Sequence, residues 1–538
     1  MNKSAKICRS SMRKQYDFTK SARNPYAKSL KKQGTSVRII FIALNVATIL
    51  LSIPSAFCAD QPQWGQAWGR NQVSAETGLP ASFDPAAGTN LRWKVDLGTE
   101  TYSTPVIAGG KVFIGTNNIR PRDPHHTGDR GITLCLKESD GSLCWQLVSE
   151  KIGATDVYLD WPRAGNSCPV TVEGDRVYTL TSSNKVICLD IDGLANGNDG
   201  PFKDEARFAS PADKDPDPLC DLDADIIWAF DVPSQAGTYP HDAAHASILI
   251  DGPFLYLNTS NGVDNTHRKI RKPDGPSLIV LEKATGRLLA RDKEGIGPRI
   301  FHSTWSSPGI GTIGDRRFVY FCGGDGVVYA FEMLKAIPPE GTVETLKRIW
   351  KFDPDPTGPK ENVSQYLTNR ETSPSNIKGM AVFDAGRIYV AVGGDIWWGK
   401  NQAWLKCFKA EGEGDISSSA LVWSYDLNRH SCSTPAIVDG LVFAADTQGV
   451  LHCIDAATGK PVWTQDLGAE IWASPMVADG KVYLGTRRGE LWVFAASREK
   501  KQLAAIDLDA PISATVIAAN KTLFIATNKT LYAVGIGK

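Results

Sequence analysis

The feature that most limits what this chain can fold into is a unit of about 40 residues that recurs along it. Residues 433–463 read STPAIVDGLVFAADTQGVLHCIDAATGKPVW, with three short apolar runs at Ala436–Val438, Leu441–Ala445 and Val450–Ile454 and a fourth ending at Trp463. Turn residues separate the runs: Asp439-Gly440, Gln448-Gly449 and Thr458-Gly459. Apolar runs of this length rich in Val, Ile, Phe and Leu, punctuated by glycine, specify antiparallel strands joined by hairpins. A single four-stranded sheet cannot cover both its faces, so it requires neighbours. The next stretch, from Ser474-Pro475-Met476-Val477 through Val482–Gly485 to Leu491–Phe494, is nearly a copy. Four-stranded repeats of this size predict an all-β fold, a β-propeller whose sheets pack face to face around a channel.

The units can be followed through the sequence. They start near Ser103-Thr104-Pro105, Cys168-Pro169, His245, Ser307-Pro308, Met380, Ser433, Ser474 and Ser513. The last, Ser513–Val534, supplies three strands and lacks a fourth, whereas Leu91-Arg92-Trp93-Lys94-Val95 reads as a fourth strand with no predecessors. Pairing the two closes the ring and removes both exposed sheet edges. The expectation is therefore eight blades of four antiparallel strands, spanning residues 91–538, with residues 60–90 as an extended lead-in lying over the propeller and anchored by Trp64 and Trp68.

Charge is distributed unevenly. The whole chain has 59 basic and 59 acidic residues, but residues 1–58 hold 11 of the Lys/Arg and only one acid, Asp17, leaving 48 against 58 and a net charge of −10 for the rest. A surface of that sign does not suit nucleic acid, whose phosphates are held by Lys and Arg. The basic start, the apolar run Ile39–Ile53 and the small residues that follow read as an export signal over residues 1–59, placing the mature protein in the periplasm or outside the cell. The apolar run is short for a bilayer span. Membrane association is expected only through an uncleaved signal or lipidation at Cys58, which Phe57 disfavours. Of the nine later cysteines, Cys135, Cys188, Cys407 and Cys453 fall in one slot of different blades, where Ala330 and Ala533 also fall. Equivalent positions in different blades lie too far apart for disulfides, so these read as small buried side chains. Cys135 and Cys144, on adjacent strands, are the one local pair.

The segment Cys453-Ile454-Asp455-Ala456-Ala457-Thr458-Gly459-Lys460-Pro461-Val462-Trp463 resembles the tryptophan-docking repeat of the quinoprotein dehydrogenases, with Cys for the leading Ala. Weaker copies lie at Leu134–Trp145 and at Leu281–Ala290, where Ala replaces Trp. The resemblance implies a PQQ-like eight-bladed propeller in which Trp145, Trp228, Trp350, Trp423 and Trp463 dock one blade on the next. Such propellers include both alcohol dehydrogenases carrying pyrroloquinoline quinone (PQQ) and Ca²⁺ and non-catalytic envelope proteins similar to BamB. The dehydrogenases carry adjacent cysteines over the quinone, a Glu/Asn/Asp set on Ca²⁺ and an Asp base. This chain has no Cys-Cys pair, and the other residues do not match position by position, so no cofactor is firmly expected and no catalytic residue is assigned.

Candidate binding residues come from the alignment of the blades. The positions three before each first-strand proline, or before its aligned counterpart where proline is missing, should ring one mouth of the channel: Tyr102, Asn166, His245, Trp305, Lys378, Cys432, Trp472 and Ser513. This ring is polar and aromatic and poor in carboxylates. His241-Asp242 and His245, with His302 and His430 in corresponding loops, suit Zn²⁺ ligation or acid–base work, although loop histidines also commonly bond backbone carbonyls. Trp397 and Trp398, in the glycine-bounded loop 394–404, suit a protein interface or a sugar-stacking platform, against the alternative of packing on a neighbouring blade. His267 opens a basic run, residues 267–272, read as solvated. The insert carrying Asp190, Asp192, Asn196, Asn198 and Asp199 offers hard oxygens among glycines, a weak Ca²⁺ signal without EF-hand spacing. The function expected is an exported, non-catalytic scaffold taking an envelope protein or small ligand at the channel mouth, with a quinoprotein dehydrogenase or a carbohydrate-binding propeller as the alternatives.

Overall fold

The computed structural model describes residues 59–151, 163–211, 213–241 and 245–537, so nearly all of the expected export segment lies outside the described residues. The chain forms eight antiparallel sheets in which four strands run in sequence order from the innermost to the outermost. The closing sheet is the exception that was expected: Leu91–Asp96 pairs antiparallel with Thr530–Val534, with Trp93 opposite Ala533. Two blades carry a short outer fifth strand, Glu344–Thr345 beside Leu288–Arg291 and Gly414–Asp415 beside Arg348–Phe352, both parallel, and in a third the innermost strand is split into Ser375–Asn376 and Val382–Asp384. Among the described residues no helix is long and apolar enough to cross a membrane.

Most sheets bury both faces, so their middle strands are largely apolar and buried at nearly every position rather than alternately. Val112–Thr116 and Ile132–Leu136, for example, are buried at every position. The buried apolar residues divide into eight clusters, and each joins two neighbouring blades. One unites Tyr178, Cys188 and Trp228 with Ile250, Leu255 and Ile279; another joins Leu531 and Phe524 to Trp93, Ile114 and Leu134 across the closure. The core is thus distributed around the ring instead of sitting at one centre.

The docking tryptophans explain the repeat motif. Trp145, Trp228, Trp350, Trp423 and Trp463 sit opposite Cys135, Cys188, Ala330, Cys407 and Cys453, so the shared cysteine slot is the small partner of a large indole. A β-bulge follows each of these pairs, and a bulge re-aims the neighbouring side chain. Four of these indoles reach the next blade: Trp145 donates to the Ile191 carbonyl, Trp228 to Lys283, Trp423 to Ala456 and Trp463 to Ser497, at 2.9–3.2 Å. Trp350 instead packs edge-on against Phe408. The turn glycine of the next repeat lies beneath the ring: a Cβ at Gly459 would stand 2.6 Å from Trp423, and its φ of +71° favours glycine. All nine cysteines after Cys58 are free thiols.

The lead-in does more than lie over the propeller. Residues 61–74 bond the innermost strand, or its approach, in all eight blades. Gln61 and Pro62 accept from Ile107 and Val172, while Trp68, Gly69 and Gln72 accept from Ile310, Phe383 and Val477. Asn71 exchanges two bonds with Ile437, and Ser74 donates to Ala518. Arg70, fully buried, bonds Pro308 at 2.8 Å and reaches the Ser247 and Ile248 carbonyls. A segment bonded to the innermost strand, or its approach, in all eight blades lies on the channel side of the ring and serves as its stopper.

Candidate functional site

Above this stopper, the loops that lead into the first strands converge. Tyr102, His245, Trp305, Lys378, Cys432, Trp472 and Ser513 line one cavity of about 90 Å³, together with Trp64 from the lead-in. Seven of the eight positions read from the repeat alignment therefore share a wall. The eighth, Asn166, is buried between the first and second blades. Its amide oxygen accepts from Ser182 N at 2.8 Å and from Ser149 Oγ, and its Nδ2 donates to Thr133. Asn166 ties blades together and does not face the cavity.

Asp395 organises the other half of the mouth. It follows the strand Arg387–Gly394 and opens the Trp397-Trp398 loop. Its Oδ1 accepts from the backbone N–H groups of Trp397 and Trp398, which fixes the loop as an Asx turn. Its Oδ2 meets His302 Nδ1 at 2.8 Å, Asn376 Nδ2 at 3.0 Å and Lys378 Nζ at 3.2 Å. Burial alone would raise this carboxyl, but the attraction of His302 and Lys378, with the His302 hydrogen bond, overcomes it and holds Asp395 well below the usual carboxylate range. Arg370 binds the carbonyls of Ile396, Trp397 and Gly399 from outside and braces the same loop.

The tryptophans are set around these charges. The Lys378 ammonium lies 3.9 Å from the Trp305 ring centre and 5.2 Å from that of Trp397. Trp397 in turn contacts Trp305, Trp472 and His302 with centroids at 6.0, 6.1 and 5.5 Å. Across the cavity, the Arg487 guanidinium stands 4.6 Å from Trp472 and 5.8 Å from Tyr102. Cations over aromatic faces gain from the ring quadrupole, and more so as water is excluded. Tyr102 donates to Glu100 at 2.9 Å, and burial first and then Glu100 push its phenol up to about 12. His245 packs on Trp305 at 4.8 Å. Beneath the loop, His430 is fully buried, and burial reinforced by Lys378 lowers its imidazole to about 3.

Two readings from sequence change. His267 is not solvated: it is half-buried, with its ring 4.8 Å from His241, 5.0 Å from His302 and 4.7 Å from Trp398. The oxygens of the Asp190–Asp199 loop do not converge on a point. Asp190 is held by Arg176 and by its own loop, Asp192 pairs with Lys111, and Asn198 bonds Glu205 and Lys203. Asp199 is fixed through its N–H to Asp225 and its carbonyl to Lys203. Calcium would have to compete with these protein cations for the same oxygens.

The family model described as outer membrane protein assembly factor BamB matches residues 69–193 and 414–534. Quinohemoprotein alcohol dehydrogenase from Comamonas testosteroni superposes with a TM-score of 0.53, covering 89% of this chain and 81% of that one at 11% identity. This chain is an eight-bladed β-propeller that resembles the PQQ-like repeat proteins. The quinohemoprotein alcohol dehydrogenase ADHIIG from Pseudomonas putida HK5 resembles this chain to a similar degree, with a TM-score of 0.52 over 89% of this chain and 81% of that one at 10% identity. BamB from Moraxella catarrhalis gives 0.47 over 82% and 96% at 12% identity. At these identities the likeness is one of fold. No curated protein matches the chain significantly.

The residues at the mouth do not fit PQQ with Ca²⁺. Calcium takes six to eight oxygen ligands. At this mouth Asp395 is already saturated by two backbone N–H groups, an amide, an imidazole and an ammonium. The nine described cysteines include no disulfide to cover a quinone. The cavity, at about 90 Å³, is also well below the several hundred Å³ of an ordinary cofactor site.

Proposed function

We propose that this protein is an exported binding propeller whose partner is another envelope protein, docking on the channel mouth. The observation that carries the reading is the composition and shape of that mouth. Tyr102, Trp305 and Trp472 line a small cavity, Trp397 and Arg487 pack against these rings from the side, and all five are only partly buried. Trp, Tyr and Arg around a pocket of this size are the residues that concentrate energy in protein interfaces. The cavity takes one inserted side chain, not a whole cofactor, and Arg487 at its edge favours an acidic neighbour on the incoming segment. The stopper of residues 61–74 closes the far side, so the mouth acts as a receptor face and not as the entrance to a passage.

Photo-crosslinking tests this. With benzoylphenylalanine at position 472, envelope extract should yield a discrete adduct that disappears when Arg487→Ala and Trp397→Ala are added. The probe at position 421, on an outermost strand, should yield none. Equal labelling from both positions, or labelling that survives both substitutions, would remove the reading. Stoichiometric binding of PQQ with Ca²⁺, followed by absorbance, would replace it with the quinoprotein alternative.

A further inference from the structure

Among the described residues, one group of three or more potential ligand side chains converges: His241, His267 and His302, whose donor atoms lie within 4.8 Å of one another. We propose that these three imidazoles form a binding site for a divalent transition ion of the zinc class. The proposal does not rest on what docks at the mouth, although His302 and Asp395 adjoin it.

Several separate features support it. His302 is oriented from behind: its Nδ1 is on Asp395 at 2.8 Å, which assigns Nε2 to the ion. A carboxylate on the far nitrogen of a ligating histidine is the usual way a protein fixes the ring and strengthens it as a donor. Asp395 is itself immobilised by Asn376, Lys378 and two backbone N–H groups, so the orientation is set before an ion arrives. His267 occupies the left-handed region at φ +57°, an uncommon conformation for a residue other than glycine. The loop that imposes it is pinned by Asp264, whose carbonyl accepts from His267 N and whose carboxylate accepts from Thr266 Oγ1. Backbone held in so rarely used a conformation clusters at sites where a side chain must be aimed.

The chemistry selects the ion. Imidazole nitrogen suits zinc, copper, cobalt and nickel, whereas calcium and magnesium require oxygen. Metal–nitrogen bonds of about 2.0–2.1 Å place ligand atoms about 3.4 Å apart in a tetrahedron. The most separated donors must therefore close by about 1.4 Å, and His267 is the half-buried ring of the three while His241 and His302 are enclosed. Lys378, 3.4 Å from His302 Nδ1, would repel a cation, but its charge is matched by Asp395. Three nitrogens leave a fourth coordination position for water or a further ligand.

The test uses the full mature protein after EDTA dialysis, titrated with Co²⁺ and then Zn²⁺. The expected result is one equivalent of Co²⁺ giving the intense visible bands of a low-coordinate nitrogen site, displaced by Zn²⁺. His267→Ala should weaken binding at least about tenfold, as should His302→Gln. His267→Ala lies at a half-buried loop position and should melt at the wild-type temperature without metal, separating ligand loss from misfolding. Absence of a saturable band overturns the proposal. So does binding that survives both substitutions, or sulfur-to-cobalt charge transfer, which would assign the ion to thiols.

Discussion

The most quantitative consequence concerns His430. Its side chain is 2% exposed, and neither ring nitrogen has a hydrogen-bond partner among the described residues. Burial, reinforced by Lys378 and opposed by Asp395, holds the imidazole at about 3 instead of the ordinary 6.5. In the unfolded chain this histidine takes up a proton as the pH falls through 6.5, while the folded protein takes none until about 3. The unfolded state therefore binds more protons throughout that window, and stability is lost as the pH falls. The slope is about 1.4 kcal/mol per pH unit, so moving from pH 7.5 to pH 5 should cost about 2 kcal/mol from this residue alone. His430→Leu removes the titration without breaking a hydrogen bond, and His430→Gln serves if leucine packs badly. Urea unfolding of wild type and variant at both pH values isolates the effect, because every other titrating group is common to the two proteins. The difference between pH 7.5 and pH 5 should shrink by about 2 kcal/mol in the variant. An unchanged pH dependence would refute the claim that His430 is buried neutral.

Three further outcomes follow from the geometry. Asp395→Asn leaves Lys378 buried without its counterion and should lower stability at neutral pH by about 3–5 kcal/mol in urea unfolding, against little change if the pair were solvated. Gly440→Ala, at φ +73° with open space around it, should cost only about 1–2 kcal/mol of backbone strain. Gly459→Ala should cost about 1–3 kcal/mol more than that because its Cβ overlaps Trp423, and equal costs for the two would argue against docking. The Cys135 thiol, with Lys111 and Lys137, holds Cys144 down to about 7, while burial raises Cys188 and Cys453 to about 12. Iodoacetamide at pH 8 followed by peptide mapping should therefore mark Cys144 first; faster labelling of Cys220 or of a buried thiol would contradict this.

Strand positions, blade count and ring closure were all legible from sequence because each rests on local chemistry: Asp-Gly and Thr-Gly turns, short apolar runs, and a spare strand at each end. The ring at the mouth was legible for a related reason, since a proline at one register position aligns the residues three before it. Asn166 shows the limit of that alignment, because a backbone register does not say whether a side chain turns toward the axis or into the neighbouring blade. His267 was misread because its placement depends on a long hairpin loop, residues 259–277, folded back by Asp264 and Trp398, and no periodicity reports such a fold. Asp395 looked like an ordinary loop residue, and its role appears only when His302, Asn376 and Lys378 arrive from separate segments. The course of residues 61–74 was hidden for the same reason: an irregular Gly- and Gln-rich strand carries no pattern of its own and takes its path from eight partners.

The stopper has a consequence for how the molecule comes apart. In an open solenoid each repeat leans only on its neighbours, and damage stays where it occurs. Here Arg70 and the residues around it act as a hub to which every spoke is fastened, while the rim is latched where Leu91–Asp96 meets Thr530–Val534. Pulling any one blade outward strains the hub shared by the other seven. Opening the latch likewise frees both ends of the rim at once. Partial unfolding should therefore be scarce, and proteolysis should find either the intact wheel or fragments of a wheel already lost.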